Sequence, residues 1–112
     1  MLKKENRLTK DKEFDKVFKE GLASYDKMVG VRVLANSFQH IRIGVIVNSK
    51  VSKSSVVRNK IKRQLRDIFG KEIQKISLGF DIVVLALPEI YNKTSKEIEK
   101  SIKNQLKKLD IY

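Results

Sequence analysis

The stretch "FDIVVLAL", residues 80–87, places seven apolar side chains around a single charge. A strand with one wet face alternates polar and apolar residues, whereas a near-continuous apolar run reads as a strand covered on both faces. Pro88 ends the run, because proline has no N–H to give to a strand ladder. Two further stretches, "MVGVRVLAN" and "HIRIGVIVN", alternate and are β-branched, which predicts two more strands. The first sends Val29, Val31 and Val33 to one face and Arg32 and Leu34 to the other. The second sends Ile41, Ile43, Val45 and Val47 to one face, with Arg42 opposite. Their connection, "NSFQ", is short enough to predict a hairpin.

Helical periods fill the rest. Phe14, Val17 and Phe18 share a face in a helix over roughly residues 10–20. Thr9 is the expected N-cap and Gly21 the C-terminal stop. A second helix begins near Ser55 and weakens near Gly70. Thr94 and Glu97 form a T-x-x-E capping box for a third, over about residues 95–109, with Ile98, Ile102, Leu106 and Leu109 as its core stripe. The expected order is α-β-β-(β)-α-β-α. This is an α+β sandwich of three helices on a small mixed sheet, with three strands evident and room for a fourth. No repeat, linker or low-complexity tract divides the chain, so residues 1–112 are expected to form one domain.

Charge narrows the function. Twenty-five Lys and Arg against thirteen Asp and Glu give +12, a self-repulsion that a polyanionic partner would offset. No apolar run approaches the roughly 20 residues that span a bilayer, and "MLKKENRLTK" lacks a signal-peptide core. The chain has no cysteine, which excludes disulfides and thiolate metal sites. A soluble cytoplasmic protein without membrane partners is the plain expectation.

The cations concentrate in "VVRNKIKRQLRDIF", where five basic residues fall within nine positions, 58–66. At about 100° per residue, Arg58, Lys62, Arg66, Asn59 and Arg63 fan over one side, and Val57, Ile61, Leu65 and Ile68 over the other. An ordinary solvated helix alternates signs at i,i+4, yet Arg58, Lys62 and Arg66 repeat one sign at that spacing. Arginine's planar fork suits phosphate, and "KVSKSS" ahead of the helix offers hydroxyls and amides at its positive end. A polyanion-binding surface is favoured over a solvated face.

The string R-N-K-I-K-R-x-x-R resembles the "RNR" motif of the bacterial ribonuclease P protein family. It matches at Arg58, Asn59, Ile61, Lys62, Arg63 and Arg66, with Lys60 in place of the second arginine. "RIGVIVNSK" resembles the family's R-(I/V)-G-x-x-V-S-K-K segment at Arg42, Gly44, Ser49 and Lys50. "NRLTKDKEFDKVFKEG" and "GFDIVVLALP" resemble its first helix and last strand. The chain departs from the pattern at Val51 (commonly Lys), Lys53 (commonly Gly), Asn48 (commonly Val) and Leu87 (commonly Arg).

The resemblance implies an accessory subunit with two RNA-facing surfaces. Lys50, Lys53, Arg58, Asn59, Lys60, Lys62, Arg63 and Arg66 would face the catalytic RNA, ribonuclease P RNA, one protein to each RNA. A cleft beside the first helix would take the 5′ leader of precursor tRNA. Phe14 and Phe18 would be its stacking platforms, and Lys16, Arg32 and Arg42 its charge neighbours. Spacing alone assigns both phenylalanines to a core; the resemblance implies that at least one ring is partly exposed. Arg32 lies where the family often has an aromatic, implying a more electrostatic contact there. The resemblance further implies a left-handed β-α-β crossover, against the general right-handed rule. Mg²⁺ would enter through the RNA, which performs the hydrolysis.

The residues themselves offer no catalytic centre. His40 reads as a surface or strand-edge residue. Asp81 reads as a cap or the partner of a basic neighbour. D-x-D, H-x-H and E-x-x-H spacings are missing. Tyr25, Tyr91 and Tyr112 form no usable pattern. A structural RNA-binding protein, such as a ribosomal protein, is the alternative reading, and an autonomous nuclease a third.

Overall fold

A computed structural model describes residues 3–76 and 79–111. Tyr112 lies outside the described residues. The elements are α1 (Asp11–Glu20), β1 (Leu22–Tyr25), β2 (Val29–Ala35), β3 (Arg42–Ile46), α2 (Ser55–Glu72), β4 (Phe80–Ala86) and α3 (Ser95–Lys108), with a short 3-10 turn at Lys4–Asn6. The sheet runs β1-β2-β4-β3. β4 pairs antiparallel with β2 and parallel with β3, so β3, α2 and β4 form a β-α-β unit.

The doubly covered run thus lies inside the sheet. Ile82, Val84 and Ala86 join the larger core, together with Val29, Val31, Val33 and Ile43. The helical side of that core is supplied by Ile61, Leu65 and Phe69 of α2 and by Ile98, Ile102 and Leu106 of α3. On the opposite face Val83 packs with Leu8 and Val17, flanked by Phe14, Phe18, Leu34 and Ile46. Two helices cover one face and α1 covers part of the other.

The predicted hairpin does not form. β4 inserts between β2 and β3, because the most apolar strand buries the greatest area when flanked on both edges and covered on both faces. The fourth strand is β1, an exposed edge segment whose sequence, "LASY", carries no alternating signal. Thr9 is not the N-cap of α1. Lys10 occupies that position, with its N–H donating to Glu13 Oε1 at 3.1 Å. Gly21 ends α1 as expected, but with φ −78° rather than a left-handed turn. Its need is space: a Cβ there would lie 2.6 Å from Val17 O and 2.7 Å from Val33 O. The capping box of α3 is present, Thr94 Oγ1 accepting from Glu97 N–H at 3.2 Å. Among the described residues no helix is long and apolar enough to cross a membrane.

Candidate nucleic-acid interface

The loop before α2 is fastened to itself and to the helix. Asn48 Oδ1 accepts from the Lys50 N–H at 3.0 Å, and Asn48 O from the Val51 N–H at 3.1 Å. Val51 is buried in the main core, which gives its departure from the family lysine a packing reason. Ser54 caps the helix through the Val57 N–H at 3.3 Å, and Ser52 Oγ accepts from the Ser54 N–H at 3.1 Å. Those two hydroxyls therefore serve amides of the loop and of the first turn of the helix. Arg58 Nη1 turns back to donate to Ser52 O at 2.9 Å and Lys53 O at 3.0 Å.

With the loop held, α2 presents its two predicted sides. Ile61, Leu65, Ile68 and Phe69 are buried. Asn59, Lys60 and Arg63 are exposed, Lys62 and Arg66 partly so, and Lys50 and Lys53 stand exposed on the loop. Arg42, Lys75 and Lys103 enter ion pairs, whereas among the described residues Lys60, Lys62, Arg63 and Arg66 enter none. The predicted cations are brought together, with Arg58 doubling as a brace for the loop.

The residues expected to meet the leader divide between the two flanks of α1. Towards β3, Phe14, Phe18 and Ile46 line a groove of about 410 Å³ rimmed by Asp11 and Asp15. Both phenylalanines are partly exposed while packing on the smaller core. Gly44 makes room for the first, since a Cβ there would lie 2.4 Å from two atoms of the Phe14 ring. Arg32 stands beside Phe18, its guanidinium 5.2 Å from that ring and 5.5 Å from Tyr25's. It donates to Phe18 O at 3.1 Å and to the Tyr25 hydroxyl at 2.9 Å. Sequence reasoning missed Tyr25, whose place follows only from β1 pairing opposite Gly30.

Lys16 and Arg42 lie on the other flank, around a separate cavity of about 360 Å³. Arg42 is committed internally, to Asp81 on β4 and Glu13 on α1. Asp81 is therefore the partner of a basic neighbour, as its sequence position implied. His40 is partly exposed in the segment before β3.

An α-β sandwich with a helix face of one charge sign and a separate aromatic groove defines a class, the small polyanion-binding module. The family model described as Ribonuclease P matches residues 2–110. A ribonuclease P protein component of Clostridium botulinum (strain 657 / Type Ba4) is 38% identical over 110 residues, covering 97% of this chain and 98% of that one. The RNase P protein of Staphylococcus aureus has a similar structure, with TM-score 0.87 and 30% identity over 96% of this chain and 97% of that one. A Staphylococcus aureus RNase P protein mutant with defective mRNA degradation activity gives TM-score 0.89 at 30% identity, over 97% and 92%. The chain belongs to the ribonuclease P protein family.

Proposed function

We propose that this chain is the protein component of a ribonuclease P holoenzyme, which removes the 5′ leader of precursor tRNA. One copy binds each catalytic RNA through Lys50, Lys53, Asn59, Lys60, Lys62, Arg63 and Arg66, with Arg58 bracing the loop. The leader lies in the groove beside Phe14, Phe18 and Arg32. The observation that carries this reading is the α2 face, where four cations enter no ion pair among the described residues.

The physical contribution is assembly and screening. Catalytic RNA and precursor tRNA are both polyanions, and a +12 body at their junction lowers the repulsion between them while releasing counterions. Stacking on Phe14 or Phe18 is worth about 1–3 kcal/mol per base and accepts any base, which suits leaders of varied sequence. Mg²⁺ enters with the RNA, which carries the bond cleavage. The commitment of Glu13 and Asp81 to Arg42 supports that division, because both carboxylates are held in ion pairs with one shared guanidinium.

The test is reconstitution. The full chain is added to catalytic RNA and precursor tRNA at low Mg²⁺. Restored cleavage at the mature 5′ end is the expected result; no effect contradicts the reading. A protein-only incubation with mRNA probes the second reading, intrinsic nuclease activity, which the Staphylococcus aureus mutant's description favours. Cutting there would assign chemistry to the chain itself.

A further inference from the structure

The flank of α1 opposite the Phe14–Phe18 groove has its own aromatic. Phe38, in the β2–β3 connection, is 48% exposed beside the cavity that Lys12 and Lys16 edge. An exposed phenylalanine alone is ordinary; this one is held in place. Arg42's guanidinium lies 4.4 Å from its ring centroid, and the His40 ring lies tilted at 5.7 Å. Asn36 organises the connection, its Oδ1 accepting from the Phe38 N–H at 3.0 Å. Its Nδ2 donates to Asp81 Oδ1 at 2.8 Å. Asn36 N–H in turn donates to Gly79 O at 2.7 Å. Gly79 adopts φ +84°, which a side chain would strain, and a Cβ there would come 3.1 Å from Phe38 O. Little ordering remains to be done when a ligand meets this ring.

The charges on the two flanks are opposite in sign. The Phe14–Phe18 groove is rimmed by Asp11 and Asp15. Around Phe38 the Arg42, Glu13 and Asp81 cluster leaves one net negative charge, and Lys12 and Lys16 outweigh it. We propose that Phe38, Lys12 and Lys16 form a second nucleotide subsite for single-stranded RNA: a base stacks on the open part of the Phe38 ring, and the adjoining phosphate is drawn to the two lysines. This rests on the RNA-binding reading above and adds a contact surface separate from the Phe14–Phe18 groove.

The test measures binding of a fluorescent single-stranded oligouridylate to the full chain, alongside reconstituted cleavage at low Mg²⁺. Phe38→Leu keeps apolar cover over Arg42 but removes the π face, and is expected to weaken binding about tenfold with unaltered thermal melting. Phe38→Tyr keeps the unsubstituted affinity. Lys12→Gln with Lys16→Gln lowers the log–log salt slope by about 0.7, the share of one phosphate. Unchanged affinity in Phe38→Leu overturns the subsite, as does an equal loss in Phe38→Leu and Phe38→Tyr, which would make the ring only a lid on Arg42. If either occurs while cleavage is still restored, the subsite fails and the holoenzyme reading stands. If the unsubstituted chain binds no RNA, both fail.

Discussion

Arg42 and Asp81 face each other across the parallel β3–β4 register and meet through two side-by-side hydrogen bonds, Nε to Oδ1 at 2.8 Å and Nη2 to Oδ2 at 2.7 Å. Nη1 reaches Glu13, so one guanidinium ties α1 to β3 and β4. The hydrogen bond with Asp81 is the largest influence raising the Arg42 pKa. Burial opposes it, and the negative charge of Asp81 and the contact with Glu13 add to it. Arg42→Ala leaves the buried Asp81 without its cation and is expected to cost about 3–5 kcal/mol in chemical denaturation. A loss below about 1 kcal/mol would place the tie outside the folding energetics.

On the basic helix the proposed docking role and the bracing role can be told apart. Arg63→Ala removes an exposed cation, so affinity for the catalytic RNA should fall for all sequences alike, with the salt slope reduced by about one. Arg58→Ala should weaken RNA binding and also release two carbonyls of the loop, costing roughly 1 kcal/mol of stability. Salt-dependent titration together with denaturation distinguishes the pair; identical stability in both variants contradicts the brace.

Two glycines predict opposite outcomes. At Gly21 an added methyl meets backbone oxygens of α1 and β2, which yield little, so Gly21→Ala should cost about 1–3 kcal/mol. At Gly44 it meets the far edge of the Phe14 ring, which can swing, although Leu8 Cβ at 3.2 Å leaves little slack. Gly44→Ala should therefore lose less stability than Gly21→Ala but weaken leader binding by shifting the ring. Thermal melts and leader-length comparisons read both effects, and the reverse ranking would contradict this.

Asp26 is expected to make the stability depend on pH. Burial, the largest influence, pushes its pKa up. Hydrogen bonds from the Ser101 hydroxyl and from the Val29 and Met28 amides, with Gln105, together outweigh burial and hold it below the usual value. A lowered folded pKa means stability that is present above the unfolded value and lost as pH falls through the folded one. Asp26→Asn should therefore be less stable at neutral pH, by on the order of 1 kcal/mol, and the difference should shrink below about pH 4. A gap that stays constant with pH would contradict the role of the charge.

The local elements were legible because their signals are local. The polar and apolar sides of α2 follow from period, the α3 cap from Thr94 and Glu97, and the strand faces from alternation. Strand order was not legible: pairing is decided by which strand gains from being flanked, and "NSFQ" is short enough for either arrangement. β1 escaped because an exposed edge strand needs no apolar alternation. Within the site, the cationic residues were readable as a strip. Their division between docking and bracing was not, because the carbonyls that Arg58 holds carry no sequence signature. Arg42 resembled a free cation until β4 brought Asp81 beside it.

The central claim is that α2 docks the catalytic RNA while a separate groove holds the leader. Its most direct test compares Arg63→Ala/Arg66→Ala with Phe18→Ala in the reconstituted holoenzyme, measuring catalytic-RNA affinity and the preference for long-leader substrate over mature tRNA. The arginine pair should lower the affinity and leave the preference, and Phe18→Ala should do the converse. Both variants lowering the same quantity, or neither lowering any, would contradict the claim.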